Sequence, residues 1–153
     1  MTFSDPYGHM EGPIQISVKY RIPDYAVVTG KEIIFKPLVA SNIFRRAQAH
    51  LFANTALAER TYPFTDRCSR LVELNETITL PAYLNAVYVP AENDIDGTAA
   101  SFSGGYEIGT NEVKITETVV IKKRVFEADE WTNYKSVVEA QHKFANENII
   151  LAR

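Results

Sequence analysis

The chain has 153 residues, of which 46% are hydrophobic and 23% are charged, and its formal net charge is −3. These values fit one globular domain, which at this length buries about 70% of the surface that its unfolded chain exposes. The small negative charge creates no long-range field that would attract nucleic acid or an anionic membrane. No stretch approaches the roughly 18 apolar residues of a membrane span. We therefore expect neither a nucleic-acid partner nor a membrane span.

The N-terminal part of the sequence predicts a lead-in followed by strands. Residues 1–13 lack periodicity, which indicates a flexible lead-in before a single domain at 14–153. The first ten residues have neither the basic start nor the apolar core of a signal peptide. Alternating apolar and polar residues predict a strand at Ile14–Tyr20. Strands at Tyr25–Val28 and Glu32–Val39, joined by a turn, are predicted to form a hairpin. Pro37 favours an edge position for the third strand, because proline cannot donate to a β-ladder.

A different pattern occupies residues 41–59. Ser41 or Asn42 can cap a helix. Partial helical spacing and frequent alanine predict a short helical excursion near 43–58. Tyr62-Pro63 ends any such helix, since the residue before a proline avoids helical backbone angles.

The second half of the chain is typical of successive strands. The predicted strands are Leu71–Leu74, Glu76–Leu80, Ala86–Val89, Ala100–Ile108 and Glu112–Arg124, with a polar loop at 91–98. The last two strands form a long hairpin. From Val113 to Lys122 in its second arm, the odd positions are apolar except for Glu117, and the even positions are polar except for Val120. Alternation over so many residues is the strongest strand signal in the sequence.

The C-terminal segment changes to a helical period. Asp129 can cap a helix that runs to about Asn146. A last short strand is predicted at Ile149–Leu151. The apolar stripe of the helix recurs at steps of three and four residues, on Trp131, Tyr134, Val137, Val138, Gln141 and Phe144, with Ala145 beside it. The predicted fold class is mainly β, an antiparallel β-sandwich (immunoglobulin/fibronectin-like) with one C-terminal amphipathic helix.

Cys68 is the only cysteine, which excludes an internal disulfide and a multi-cysteine zinc site. It lies between Arg67 and Arg70, and nearby cations can favour the nucleophilic thiolate. A cysteine nucleophile also needs a histidine base. The candidate bases are His9, His50 and His142. Because His9 falls in the lead-in and His142 beside the apolar stripe, we interpret Cys68 as a structural or bystander cysteine.

Residues 92–97 are similar to the start of a calcium-binding loop. The first, third, fifth and sixth positions are Glu92, Asp94, Asp96 and Gly97. The motif requires a bidentate glutamate at the twelfth position, where this chain has Ser103. The flanking segments are strand-like rather than helical. A solvated turn is therefore the favoured interpretation, and no metal site is predicted.

Three other features have simple structural interpretations. The eight Tyr, eight Phe and one Trp would stack on sugars if they were exposed, but the filling of a sandwich core is favoured. Gly104-Gly105 lacks the strand–loop–helix context of a phosphate loop and predicts a bulge or bend. Asn75-Glu76-Thr77 matches a glycosylation acceptor, a triplet that is frequent by chance. We therefore assign no catalytic, cofactor-binding or metal-binding residue and expect no cofactor.

Several short runs occur in a fixed order: AERTYPFTDRC, ITLPAYLNAVYVP, SFSGGYEI, VVIKKRVF and DEWTNYKSVVEAQHKFANENIILAR. In this order they resemble the C-terminal β-sandwich domain of large bacterial transglutaminase-like proteins, over about residues 14–153. The shared features are an Arg-x-x-Pro segment, a strand closing in Leu-Pro, a second proline, an aromatic hairpin, and a final helix before a short apolar strand. They fall on Arg60 with Pro63, Leu80 with Pro81, Pro90, Phe102 with Tyr106, and Ile149–Leu151.

The resemblance implies a non-catalytic accessory or interaction domain. In that family an N-terminal β-rich domain and a central papain-like transglutaminase core precede the C-terminal sandwich, so a catalytic cysteine, histidine and aspartate would belong to the core. The expected partner is that adjacent core in a larger exported protein, and the expected location is the periplasm or cell surface. Cys68 falls in the Arg-x-x-Pro region and receives no catalytic role.

Two alternatives stand beside this expectation: an independent glycan- or protein-binding module, and an autonomous cysteine enzyme. Apolar patches at one edge would favour docking to a core. A concave groove lined by Tyr and Phe with polar partners would favour ligand binding. A histidine within hydrogen-bond reach of Cys68 would favour the enzyme.

Overall fold

The computed structural model of the chain describes residues 2–3, 16–17, 19, 21–38 and 53–153. Within these residues a mainly β fold with one C-terminal helix is confirmed. The strands are β1 (Thr2–Phe3), β2 (Ile16–Ser17), β3 (Val27–Thr29), β4 (Glu32–Phe35), β5 (Phe64–Thr65), β6 (Arg70–Thr79), β7 (Asn85–Tyr88), β8 (Asn93–Ile95), β9 (Ala100–Gly109), β10 (Glu112–Ile121), β11 (Val125–Phe126) and β12 (Ile149–Ala152). A 3₁₀ turn at Ala128–Glu130 leads into helix α1, Trp131–Phe144.

Two four-stranded antiparallel sheets form the framework. Sheet A has the order β6-β10-β9-β8, and sheet B has the order β3-β4-β12-β7. Short ladders join β1 to β2 and β5 to β11. The β12–β7 register shifts between Ile150 and Leu151, which leaves Val87 as an extra residue on β7, a β-bulge. Both sheets and the helix contribute to one hydrophobic core, as in a β-sandwich.

The alternation predicted for the long hairpin is confirmed. Strand β10 lies between β6 and β9 and pairs with each of them over ten residues. Its odd positions from Val113 to Ile121 are buried, including Glu117, whereas Lys114 and Thr116 are exposed. Helix α1 packs on the same inner face of sheet A, where the Phe144 ring meets Phe102 at 5.7 Å between centroids. The predicted apolar stripe of the helix is likewise buried.

The start of the helix differs from the prediction. Asp129 lies inside the 3₁₀ turn, and Glu127 caps that turn. The carboxylate of Glu130 accepts the Glu127 N–H at 2.9 Å, so the two residues form a reciprocal capping box. The physical reason is that glutamate at both ends of the box satisfies N–H groups that a lone Asp129 would leave unpaired.

Other strand boundaries also differ from the prediction. The two strands predicted at 71–80 are one strand, β6, because Asn75 points outward and pairs in register with Thr116 of β10. Strand β4 is interior rather than at an edge, since it ends at Phe35 before Pro37. The predicted strand over Glu112–Arg124 ends at Ile121 and is followed by β11.

The remaining differences concern loops. The loop predicted at 91–98 contains β8, which pairs with β9. Residues 53–58 have no helix, so that part of the predicted excursion is wrong, and 43–52 lie outside the described residues. Residues 4–15 also lie outside them, and with them most of the predicted lead-in and the beginning of the predicted strand from Ile14. Within the described residues, no helix combines the length and apolar character that crossing a membrane requires.

Asn133 joins the first turn of α1 to the start of β9. Its side-chain oxygen accepts the backbone N–H groups of Ala99 at 3.0 Å and Ala100 at 2.9 Å, both fully buried residues. Gly97 lies against this amide, and a Cβ there would come within 2.2 Å of Asn133 Nδ2. The contact fixes where the helix begins relative to sheet A.

We expect Asn133→Ala to lower the free energy of unfolding by about 2 kcal/mol, because two buried N–H groups lose their acceptor. Urea denaturation of the variant and the wild type measures this loss. Thr132→Ala, an exposed neighbour on the same helix, is the control and should change the stability by less than about 0.5 kcal/mol. Equal stability of the Asn133 variant and the wild type would contradict the assignment.

Candidate functional site

Cys68 is exposed in the loop between β5 and β6. The guanidinium of Arg70 donates to the Cys68 carbonyl oxygen at 3.0 Å and lies 4.0 Å from Sγ. His9 and His50 lie outside the described residues, and His142 is on α1, where its carbonyl oxygen accepts a bond from the Asn146 amide at 2.8 Å. Among the described residues, the structure does not bring a histidine into hydrogen-bond contact with the thiol.

Asp66 organises the same loop. Its carboxylate accepts two bonds from Arg70, at 3.1 and 2.9 Å, and one from the Tyr134 hydroxyl of α1 at 2.8 Å. Burial alone would raise the pKa of Asp66, but the bonds from Arg70, Tyr134 and the Arg67 N–H together hold this pKa below its usual range. Arg70 therefore ties the loop to the helix through Asp66, which is a structural role for the cation beside Cys68.

The segment similar to a calcium loop is a strand and a turn. Because β8 occupies Asn93–Ile95, its side chains alternate between the two faces of sheet A. Asp96 is paired with Lys122 at 2.6 Å, and Glu92 packs over Gly105. Within residues 21–38 and 53–153, no group of three or more His, Cys, Asp or Glu side chains is arranged to hold a metal ion.

Gly104-Gly105 is not the predicted bulge or bend. Strand β9 pairs with β10 through both glycines without a register shift. A Cβ at Gly104 would lie 2.8 Å from the ring atoms of both Phe102 and Phe144. Glycine is required here because the aromatic rings approach the backbone closely, so that α1 can pack on sheet A.

The Arg-x-x-Pro segment builds an aromatic platform at the N-terminus of α1. The guanidinium carbon of Arg60 lies 4.7 Å from the centroid of the Phe64 ring and 4.3 Å from that of Trp131. Phe64 also stacks on Phe126 at 4.9 Å, and the Trp131 indole donates to the Leu57 carbonyl at 3.0 Å. The Phe64 and Trp131 rings meet edge-on, at 89°. These contacts give the segment a structural explanation, because a cation this close to two rings is attracted by their π electrons.

The most unusual polar group is Glu117, which is 2% exposed in the middle of the inner face of sheet A. Its Oε1 accepts a bond from the Gln141 side chain of α1 at 3.1 Å, and its Oε2 has no hydrogen-bond partner among the described residues. Burial raises its pKa from 4.5 to about 7, and the Gln141 bond offsets only part of this effect. The sequence signalled this residue as the interruption of the apolar face, but it did not indicate the burial or the partner.

The sequence did not predict an apolar row that crosses the outer face of sheet B. Directly paired residues of an antiparallel sheet point to the same side, and the register aligns Val27, Ile34, Ile150 and Tyr88 across all four strands. Val27 is 61% exposed and Tyr88 is 50% exposed, with the two isoleucines partly exposed between them. A groove of about 540 Å³ opens beside Val27 and Ile34. We call these four residues the outer row.

A smaller groove, of about 370 Å³, lies beside the end of α1. Tyr88 and Phe144 line it together with polar groups from Glu92, Asn93 and Lys143. An aromatic ring flanked by amide, carboxylate and ammonium groups has the composition of a site for a hydroxyl-rich ligand.

For Arg60 we expect the Arg60→Lys variant to lose about 1 kcal/mol of stability, because an ammonium cannot stack on Phe64 and Trp131 as a planar guanidinium does. Thermal unfolding measures the loss. Arg124→Lys, at an exposed position, should leave the stability unchanged, and an equal effect of both substitutions would contradict the stacking interpretation.

For Glu117 we expect stability to fall as the pH rises. The protonated carboxyl is favoured in the folded state, so its contribution is complete below about pH 4.5 and is lost as the pH passes through about 7. The loss is about 3 kcal/mol. Urea denaturation at several pH values should show this slope in the wild type and in the control Glu73→Gln, an exposed carboxyl on β6. The slope should disappear in Glu117→Gln, and its persistence there would contradict the assignment.

Comparison with known proteins agrees with the fold. A crystal structure described as a "putative protease" from Parabacteroides distasonis ATCC 8503 matches with a TM-score of 0.61 and 14% sequence identity. The match covers 80% of this chain and 24% of that protein, so this chain spans about a quarter of its length. No curated protein matches the sequence. The family model described as "Domain of Unknown Function with solved-structure structure" matches residues 31–151, and the chain therefore belongs to this family, DUF3858.

Proposed function

We propose that this chain is a non-catalytic accessory domain of a larger exported protein with a transglutaminase-like core, and that it contacts that core through the outer row. The observation that carries the proposal is that the fold corresponds to a quarter of a longer protein described as a "putative protease". The order of motifs from Arg60 to Leu151 supports the more specific link to transglutaminase-like proteins. In this proposal the catalytic residues belong to the core domain, and the whole protein is located in the periplasm or at the cell surface.

The outer row supports a docking role by its chemistry. Four apolar side chains cross sheet B from one edge strand to the other, and no charged residue interrupts the row. The opposite face of the same strands is already buried in the core through Ile149 and Leu151. Because the inner face of sheet B already packs in the core, the apolar row on its outer face is suited to contact with a second folded domain. The occupant that we propose is the adjoining core of the same protein.

The test uses the 153-residue chain and the longer protein encoded by its reading frame. Val27→Thr with Tyr88→Thr should leave the stability of the isolated chain nearly unchanged, because both positions are exposed. In the longer protein the same pair should lower the melting temperature of this domain by several degrees, since the row then loses apolar contact. Differential scanning calorimetry measures both.

The matched control is Leu71→Thr, which replaces an apolar residue that is 59% exposed on sheet A. Its effect should be small and equal in the short and long proteins. If the row variants behave like Leu71→Thr in the longer protein, docking through this face is wrong. A reading frame without a transglutaminase-type core would contradict the wider proposal.

The groove beside Tyr88 favours a second candidate, a glycan-binding module. Its aromatic ring and polar rim match the chemistry of sugar recognition. Calorimetric titration with neutral oligosaccharides tests this candidate. Asn93→Ala, which alters the groove and leaves the outer row intact, should then weaken binding tenfold or more, and absence of binding across the panel would contradict it.

A further inference from the structure

We propose that Glu117 is a pH-responsive switch for helix α1: loss of its proton releases the C-terminal half of the helix from sheet A. The geometry supplies the first argument. Glu117 lies on the central strand of the sheet, beneath the helix, and is 2% exposed. The Gln141 amide gives it one hydrogen bond at 3.1 Å, and the second oxygen has none among the described residues.

Within residues 21–38 and 53–153, no cation pairs with the Glu117 carboxyl. Directly across the sheet lie Leu74 and Gly104, and the inward residues one step further along are Glu76 on β6 and Tyr106 on β9. Glu76 is occupied as the acceptor of the Leu38 N–H at 3.1 Å. The Tyr106 hydroxyl is buried without a described partner. Glu76 and Tyr106 both pair with Ile115, so a carboxylate formed at Glu117 would have an acid and a phenol at the two diagonal positions.

Groups near the end of the helix add to this acidic environment. Burial raises the pKa of Tyr106, and the carboxylates of Glu147, Glu117 and Glu76, followed by the Tyr88 hydroxyl, raise it further. No described cation acts on the Glu117 carboxyl, whose pKa is set by burial and by Gln141. An unpaired buried charge is costly, and a structure relieves this cost by admitting water to the charged group.

The helix is the element that can yield. Strand β10 is held on both sides by ladders of ten residue pairs. The N-terminal half of α1 is fixed by hydrogen bonds that Trp131 and Tyr134 donate to other parts of the fold and by one that Asn133 accepts. The C-terminal half buries Val138, Ala140 and Phe144, and its Gln141 amide is the group that contacts the Glu117 carboxyl. Ionisation of Glu117 therefore acts directly on this half.

Release of the C-terminal half of α1 also affects the strand that follows the helix. After α1, β12 begins at Ile149 and lies in the interior of sheet B. Backbone bonds from Ala145, Asn146 and Glu147 continue the last turns toward this strand. Movement of the C-terminal half of α1 is thus transmitted to the strand that carries Ile150.

Amide hydrogen exchange of the isolated chain, read by mass spectrometry from pH 5 to pH 8 and corrected for intrinsic exchange, tests the switch. In the wild type, protection of the peptide over Val137–Phe144 should fall roughly 70-fold, the ratio expected when the carboxyl regains its ordinary acidity in the open form. Strand β10 and Trp131–Tyr134, which exchange through more complete unfolding, should stay far better protected than Val137–Phe144 at every pH. Glu117→Gln should remove the dependence.

Two control variants distinguish the ionisation of Glu117 from that of other groups. Glu73→Gln removes an exposed carboxyl of sheet A, and His142→Gln removes the exposed imidazole on α1. Both variants should keep the wild-type dependence. The switch is overturned if Glu117→Gln keeps it as well, if His142→Gln abolishes it, or if Val137–Phe144 is as well protected at pH 8 as β10.

A direct titration keeps the proposal testable if the Glu117 variant does not fold. Carbon-13 NMR of glutamate carboxyls in the wild type should show one group with a midpoint near neutrality. Gln141→Met should move this midpoint upward, because it removes the hydrogen bond that favours the ionised form. A wild-type spectrum in which every glutamate titrates near its ordinary value would overturn the switch.

Discussion

The packing of helix α1 against the inner face of sheet A is the interaction on which the rest of the structure depends. The helix buries seven residues, and the strands beneath it are the longest of the fold. At one end Trp131 and Tyr134 join Phe64 and Phe126 in an aromatic cluster. At the other end Phe144 packs close to a glycine backbone. Both ends use ring contacts, which require close approach and define a single position for the helix.

This arrangement explains why the short motifs of the sequence are structural. Arg60 stacks in the aromatic cluster, and Asp66 with Arg70 fastens the loop around Cys68 to the helix. Asn133 sets the start of β9. These motif residues therefore serve to position α1. Among the described residues, the outer row of sheet B and the groove beside Tyr88 are open surfaces with the composition of a contact site.

Features with a local cause could be predicted from the sequence, whereas features that depend on distant pairing could not. The alternation on β10 and the stripe of α1 arise from fixed periods of 2 and 3.6 residues, and both are confirmed. Strands of two or three residues, such as β5 and β8, are too short to produce a period. The partner of Glu117 lies 24 residues away on another element. The outer row exists only because β4, β12 and β7 pair in one register, which a linear sequence does not display.

The bulge at Val87 has a consequence for how the protein meets its surroundings. An unpaired sheet edge invites a strand from another chain, and natural sheets interrupt such edges to prevent uncontrolled stacking. On β7 the extra residue breaks the even spacing of N–H and C=O groups along that edge. The opposite edge, β3, offers only three residues. Among the described residues, sheet B is thus poorly suited to growth by strand addition. The contact that we propose for its outer row therefore uses the face of the sheet, through side chains rather than backbone groups.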